Sequence, residues 1–373
     1  MIAGSERSRQ MNSTHPILTN ILSLADLVTW QTAIDAGDQG VTAWLSGLRQ
    51  CNFTRIVFIG CGTSLFNGQA GKYLCEHLAH IPAEAEPAFS FASYAEPALL
   101  GAHTLVVGIS TSGETQSVCD GLLRARQAGS PTLALTANPG TAITQSADSV
   151  IFTGGQSDRV GVKTSSYVQA VVVLAILAAR LAGDPATLKA VLAQVDLAAR
   201  GGAACLPGLR TQVEQLARQY AKSSNVFILG SGPNLATAGE GSLKVIEMAK
   251  MYSECQELEN FFHGRLREVD DTTPLFFVTP SGPSTPRLLD FLTVTHHIGA
   301  PSIVLTDQAN PAIQELAAHV IQLPVVLNEY ATPLLYIIPL YLFAHEIALQ
   351  RGCDPLARRY DLVPQKVKWG ERL

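Results

Sequence analysis

Short apolar runs recur along the chain, each followed closely by glycine or a group of hydroxyl side chains. IVFI (56–59) precedes GCGTS, LVV (105–107) precedes GISTSGET, and VFIL (226–229) precedes GSGPN. Continuous apolar runs without polar alternation are the pattern of strands buried on both faces, as in parallel sheets covered by helices. Longer stretches with helical spacing of apolar positions lie between them. The predicted class is α/β, with doubly wound parallel sheets. Two further stretches, 165–182 and 332–350, read as long apolar helices. Their greasiest parts, 168–179 and 334–344, fall short of the roughly 18 to 20 residues that span a bilayer, the second being interrupted by Pro339, so both are expected to be buried.

The pattern repeats. IVFIGCGTS (56–64) lies over NVFILGSGPN (225–234), with Gly60 and Gly62 against Gly230 and Gly232. LVVGISTSGET (105–115) lies over LFFVTPSGPST (275–285), TLALTANP (132–139) over SIVLTDQA (302–309), and ADSVIF (147–152) over AAHVIQ (317–322). The offset stays at 169 or 170 residues, the size of a whole domain and too long for a solenoid. The expected organisation is a helical N-terminal segment (1–50), a first α/β subdomain (51–183), a connector (184–224), a second subdomain (225–352) and a tail (353–373). The connector reads as two helices broken at Gly201, Gly202 and Pro207.

Composition narrows the function classes. Of 373 residues, 47% are hydrophobic and 15% charged, which excludes a disordered chain and supplies core for two domains. A net charge of −5 argues against a nucleic-acid or membrane partner. Seven scattered cysteines, none spaced CxxC, fit reduced thiols in a cytoplasmic protein. The N-terminal residues carry no signal-peptide pattern. His296 and His297 are adjacent and diverge on any regular element, and no metal-ligand spacing appears among the histidines, so no metal is expected. Asp270 and Asp271 mark a turn.

Two loops suit a phosphate. GCGTS and STSGET (110–115) each leave a strand and open a helix, where free N–H groups, the helix dipole and adjacent hydroxyls all favour an anion. Ser and Thr are also good N-caps, so either loop alone has a simpler reading. GCGTS is followed neither by GxxG nor by GK[ST], which excludes dinucleotide and Walker-type sites. In the second copy GSGPN loses the hydroxyl pair and PSGPST gains prolines. One phosphate site per chain is therefore expected, in the first repeat.

Groups able to move protons lie in the second repeat. Lys244 and Glu247 share a helix face, and the apolar residues around them would partly desolvate the carboxylate. An ordinary helical ion pair explains the same spacing. His263, in FFHG, lies in a loop before the strand LFFV, where a lone histidine is more often structural.

GCGTS and STSGET within a duplicated α/β unit resemble the sugar isomerase (SIS) domain family over about residues 50–373. The resemblance is to the isomerase half of glucosamine-6-phosphate synthase, to amino-sugar isomerase/deaminases and to fructosamine-6-phosphate deglycases. It implies two tandem flavodoxin-like subdomains and a phosphate site at Thr63, Ser64, Ser110, Thr111, Ser112 and Thr115. DRVGVKTSS (158–166) is similar to the family loop that contacts sugar hydroxyls, near Val162 and Thr164. EGSLKVIE (240–247) followed sixteen residues later by HG matches the catalytic pattern. That match implies Glu247 as the base at C1/C2, His263 as the ring-opening or leaving-group acid, and Glu240 and Lys244 as supporting residues.

In the family the histidine loop reaches into the neighbouring subunit's site, which implies a homodimer. Arg265 stands where the family has proline, and Lys366 is the nearest match to a C-terminal lysine that serves the ketose. FFHG and the tail DPLARRYDLVPQKVKW (354–369) are similar to the deglycases, whereas STSGET leans toward the synthase and deaminases. With no glutaminase sequence and no Cys at position 2, the chain is expected not to draw ammonia from glutamine. The expected activity is cofactor-free conversion of a 6-phosphorylated amino sugar or fructosamine, by isomerisation with amine release. The alternatives are simple aldose–ketose isomerisation and a non-catalytic sugar-phosphate sensor.

Overall fold

A computed structural model describes residues 15–47, 53–155, 158 and 161–358. The apolar runs of the first repeat form strands β1 (Arg55–Gly60), β3 (Thr104–Ile109), β4 (Thr132–Thr136) and β5 (Ser149–Phe152), with β2 (Ala83–Pro87) added at one edge. All pairings are parallel and the strand order is β2-β1-β3-β4-β5. The second repeat forms β6 (Asn225–Gly230), β7 (Tyr252–Glu257), β8 (Leu275–Val278), β9 (Ser302–Thr306) and β10 (His319–Gln322). Its order, β10-β9-β8-β6-β7, is the same topology in an all-parallel sheet. Both sheets are thus flavodoxin-like, and the expected α/β class with two tandem subdomains holds.

The helices that return the chain are α1 (Pro16–Leu22), α2 (Leu27–Gly47), α3 (Thr63–Leu74), α4 (Ala88–Tyr94), α5 (Gln116–Gln127), α6 (Ala142–Ser146) and α7 (Ser165–Leu181). After them come α8 (Pro185–Tyr220), α9 (Pro233–Ala249), α10 (Leu258–Phe262), α11 (Thr285–Ile298), α12 (Pro311–Leu316) and α13 (Pro333–Gln350). The first sheet buries Val57, Ile59 and Val106 against Phe91, Val118 and Leu122. The second buries Phe227, Leu229 and Phe277 against Phe261, Leu288 and Phe291.

The chain divides into two compact units, and the division differs from the expected boundaries. One unit holds the first sheet with residues 28–47 and 165–196; the other holds the second sheet with 15–27, 161–164 and 197–357. The helical N-terminal segment is therefore shared. Within the second-sheet unit, α1 buries Ile17, Leu18 and Ile21 and packs against α13. Within the first-sheet unit, α2 meets α7, where a Cβ at Gly37 would come within 3.1 Å of Ile176.

Two expectations about helices need correction. The connector is one continuous helix, α8, and not a broken pair. Gly201 is there for packing, since a Cβ would come 2.6 Å from Val325 Cγ2. Leu206, Leu209 and Val213 bury a continuous apolar face while Pro207 stays exposed, so burial offsets the ~3 kcal/mol that an interior proline costs. Likewise α13 runs through Pro339 to Gln350, so by length and composition it could cross a membrane, which the shorter apolar run had excluded. Within the protein 89% of it is buried, as expected for a core helix.

The edge strands β2 and β7, AEAEP and YSECQE, have no apolar run to reveal them. Charged side chains at sheet edges discourage pairing with other chains, so these strands read as polar segments.

The repeated GxG turns have one physical cause. A Cβ at Gly60 would lie 2.6 Å from the Ser64 backbone, and one at Gly230 would lie 2.4 Å from the Asn234 carbonyl oxygen. Strand end and helix backbone can meet this closely only at glycine, and Gly62 and Gly232 then turn with positive φ (53° and 56°). Gly230→Ala is expected to cost about 2–3 kcal/mol of unfolding free energy in urea denaturation. Gly208→Ala, on the exposed helical face of α8 with nothing within 4 Å, should gain about 0.5–1 kcal/mol.

Candidate functional site

In a doubly wound sheet the binding crevice lies beyond the carboxyl ends of the two strands where the strand order reverses. In the first sheet these are β1 and β3. The loops that leave them are the two hydroxyl-rich loops, and Cys61 Sγ of one lies 3.5 Å from Ser117 Oγ beyond the other. Thr63 and Ser64 form the first turn of α3, both more than nine-tenths buried.

In the second loop the buried Ser110 hydroxyl is the hub. It shares hydrogen bonds with Thr115 Oγ1 (2.9 Å) and Ser112 Oγ (3.4 Å) and accepts one from the Gly113 N–H (3.1 Å). Asn138, at the end of β4, braces the loop by donating to the Thr111 and Ser112 carbonyls, each at 3.2 Å. Gly113 turns with φ 77° where a side chain would strike Thr141. Glu114 is the only charged residue in either loop, so an anion here is met by hydroxyls, N–H groups and helix ends. Asn138 lay inside the repeated TANP segment; only the sheet topology gives it a role.

The corresponding crevice of the second sheet has reversed its charge. Ser281 donates both its backbone N–H (2.8 Å) and its hydroxyl (2.6 Å) to Asp307 Oδ1. Ser231 donates to Glu257 Oε1 at 2.7 Å, and Glu329 stands beside Gly282, its pKa raised by burial. The donors that would hold a phosphate are taken by the protein's own carboxylates.

Helix α9 carries the proton-transfer candidates. Glu240, Lys244 and Glu247 fall on one face, with Lys244 Nζ 3.4 Å from Glu240 Oε1 and 2.6 Å from Glu247 Oε2. Glu240 and Lys244 are fully buried, while the Glu247 side chain is 34% exposed. Burial alone would push the Lys244 ammonium toward its neutral form. The Glu240 and then the Glu247 carboxylate outweigh it and hold the Lys244 pKa above its usual value. The helical ion pair that the spacing allowed is therefore formed. Glu247 is an ion-paired group at the rim of the core, its other side open to solvent.

His263 caps the end of α10, its ring 73% exposed and its Nε2 3.2 Å from Glu259 Oε1. Arg287 grips the same Glu259, holding its pKa low, and stacks over Phe291. The loop's shoulder is rigid, with Phe262 and Phe291 stacked at 3.5 Å. Arg265 is pinned by Glu254 (2.8 Å) and Glu268 (2.6 Å), so its charge is spent within its own unit. Among the described contacts none joins His263 to the α9 row.

Val162 and Thr164 are both buried, in the segment that belongs to the second-sheet unit. The Thr164 carbonyl accepts a hydrogen bond from Tyr341 of α13, which also bonds Glu240, a role that no sequence signal announced. Lys366 and the tail beyond residue 358 lie outside the described residues. His296 and His297 bond different carbonyls, those of Leu316 and Thr293, and among the described residues no cluster suits a metal.

The SIS domain model matches residues 47–180 and 219–351. The chain is 31% identical over 313 residues to the isomerizing glutamine–fructose-6-phosphate aminotransferase of Mycobacterium tuberculosis, covering 80% of this chain and 49% of that protein. The Corynebacterium diphtheriae enzyme of the same name is 29% identical over the same length. The chain thus spans about half the length of the curated relatives it matches. Two solved structures share its fold. The C-terminal domain of glucosamine-fructose-6-phosphate aminotransferase from Francisella tularensis superposes with TM-score 0.80 at 22% identity, covering 91% of this chain and 97% of that one. Tagatose-6-phosphate ketose/aldose isomerase from Escherichia coli superposes with TM-score 0.79 at 22% identity, covering 95% and 98%.

Removing the buried cation strands its partners. Lys244→Met is expected to lower unfolding free energy by about 3–5 kcal/mol, and adding Glu240→Gln should recover much of it. Because the Lys244 pKa is raised above 10.5, the stabilisation its charge provides is complete below that pH and fades as pH climbs through the raised value. Urea midpoints of wild type and Lys244→Met should therefore converge only in strong alkali.

Proposed function

The chain belongs to the SIS domain family, and we propose that it is a phosphosugar-processing enzyme acting on 6-phosphorylated amino sugars or fructosamines. The observation that carries this reading is the Glu240–Lys244–Glu247 row, a buried lysine holding a carboxylate at the edge of the core. Moving a proton between C1 and C2 of an open-chain sugar needs a base that is fixed in place and reachable from solvent, as Glu247 is. The hydroxyl loops at β1 and β3 are the proposed anchor for the phosphate of the substrate.

In this reading Glu247 takes the proton from one carbon and returns it to its neighbour through an enediol- or enediolamine-type intermediate. For amine release this shift leaves an imine at the carbon that bore the nitrogen. Water adds to that carbon, and the C–N bond breaks as the carbonyl forms. His263 of the partner subunit of a homodimer protonates the departing amine, or the ring oxygen during ring opening. An exposed histidine on a rigid aromatic shoulder, unattached to the base of its own chain, suits delivery to a second copy. Val162 and Thr164 are the proposed contacts to the sugar hydroxyls, and Lys366 in the tail is the proposed aid to ring opening. The step requires a base, an acid and a phosphate anchor and no cofactor. Amine release is favoured over simple isomerisation because of the deglycase-like FFHG and tail motifs. The described cysteines are all free, which suits a cytoplasmic enzyme.

Incubation with a panel of 6-phosphorylated fructosamines and hexosamines, assaying released amine and hexose 6-phosphate, tests the reading. Glu247→Gln should reduce turnover about 100- to 10,000-fold; full turnover by that variant would falsify the mechanism. An isomerised product without amine would assign simple isomerisation, and binding without turnover a sensor. Mixing inactive Glu247→Gln and His263→Asn chains should restore up to about a quarter of wild-type activity, because each mixed dimer keeps one intact site. No restoration would place both groups within one chain. Ser110→Ala should weaken fructose 6-phosphate binding about tenfold by calorimetry, while Ser281→Ala leaves it unchanged.

A further inference from the structure

Helix α13 is apolar along nearly its whole length, and Leu340, Leu342 and Phe343 around Tyr341 are fully buried. A phenol hydroxyl in such surroundings costs several kcal/mol unless it is bonded, and phenylalanine would fill the same space. The Tyr341 hydroxyl is bonded at 3.0 Å to Glu240 Oε1 and at 3.2 Å to the Thr164 carbonyl. Helices α9 and α13 can approach closely enough for this because residue 241 is glycine; a Cβ there would lie 2.5 Å from Leu340 Cδ1.

The row is asymmetric. Lys244 stands nearer Glu247 (2.6 Å) than Glu240 (3.4 Å), although Glu240 is the more deeply buried carboxylate and should attract the ammonium more strongly. Tyr341 supplies a donor to Glu240, and such a donor takes up part of the carboxylate's negative charge, which favours Lys244 leaning toward Glu247. We propose that Tyr341 is a positioning residue of the reaction: its hydroxyl, held beside the Thr164 carbonyl, donates to Glu240 and thereby sets how Lys244 divides its charge between Glu240 and the base, Glu247. The hydroxyl has one proton, and the carboxylate is the better acceptor while Glu240 is ionised. The inference rests on the proposed role of Glu247.

Tyr341→Phe removes one oxygen and keeps the ring. Glu240 should then draw Lys244 away from Glu247, leaving the base with less of the cation beside it. With the best substrate of the panel, kcat at pH 7 should fall about tenfold with KM within about twofold, and the acid limb of the kcat profile should move up by about one pH unit. Glu240→Gln should move that limb the other way, and Tyr341→Phe added to it should change kcat by less than about twofold, because its route of action is gone.

A Tyr341→Phe protein that melts lower but keeps the wild-type kcat and acid limb would overturn the inference. So would losses that multiply in the double variant. If the single variant does not fold, the double variant, with no buried carboxylate left beside the phenyl ring, still reads the coupling. Glu247→Gln assayed in parallel separates the two failures. If it is active, the catalytic reading falls; if it is inactive while Tyr341→Phe behaves as wild type, only the role of Tyr341 falls.

Discussion

A lysine ammonium with no exposed surface sits between two carboxylates on one helix, and much of the second-sheet unit is arranged to permit it. Taking an ammonium out of water costs several kcal/mol even after relaxation, so each neighbouring charge and donor is constrained. Glu240 must be buried with it, Glu247 must stay at the rim, and α13 must close over α9 at Gly241 to bring Tyr341 to the row. The result is a carboxylate that is held in place without being sealed off. A structural ion pair needs no open side; a base does.

The duplication shows how little the fold itself asks of its switch points. Both sheets keep the strand order and the GxG turn, because close approach between strand end and helix backbone is a steric condition. Around that frame the side chains diverged to opposite electrostatic ends. One crevice is lined by hydroxyls braced by Asn138, while the other turns its Ser281 donors inward to Asp307. In the first the hydroxyls bond one another within the loop, and in the second they bond the protein's own carboxylates.

Legibility followed the physics of each element. Apolar strands announced themselves as runs, the edge strands β5 and β10 among them, whereas β2 and β7 did not, because charged side chains interrupt both. Gly201, Gly202 and Pro207 were read as breaks by local propensity, yet the apolar face of α8 is continuous and burial overrode them. Of the site, spacing alone put Glu240, Lys244 and Glu247 on one face, since helical periodicity is local. It could not show which carboxylate Lys244 favours, or that Tyr341, 101 residues away, bonds the first of them at 3.0 Å.

What the sequence determined by itself was whatever depends on neighbours a few residues apart: the strands and their hydroxyl-bearing loops, the duplication, the GxG turns and the face of α9. Only the tertiary structure decided the rest. It decided that Glu247 is 34% exposed beside a fully buried Lys244, that His263 pairs with Glu259, that Ser281 gives both donors to Asp307, and that one phenol joins α13 to the row. Those outcomes turn on contacts between distant segments, where distance and burial set the strength of a charge, and neither is written in the order of residues along the chain.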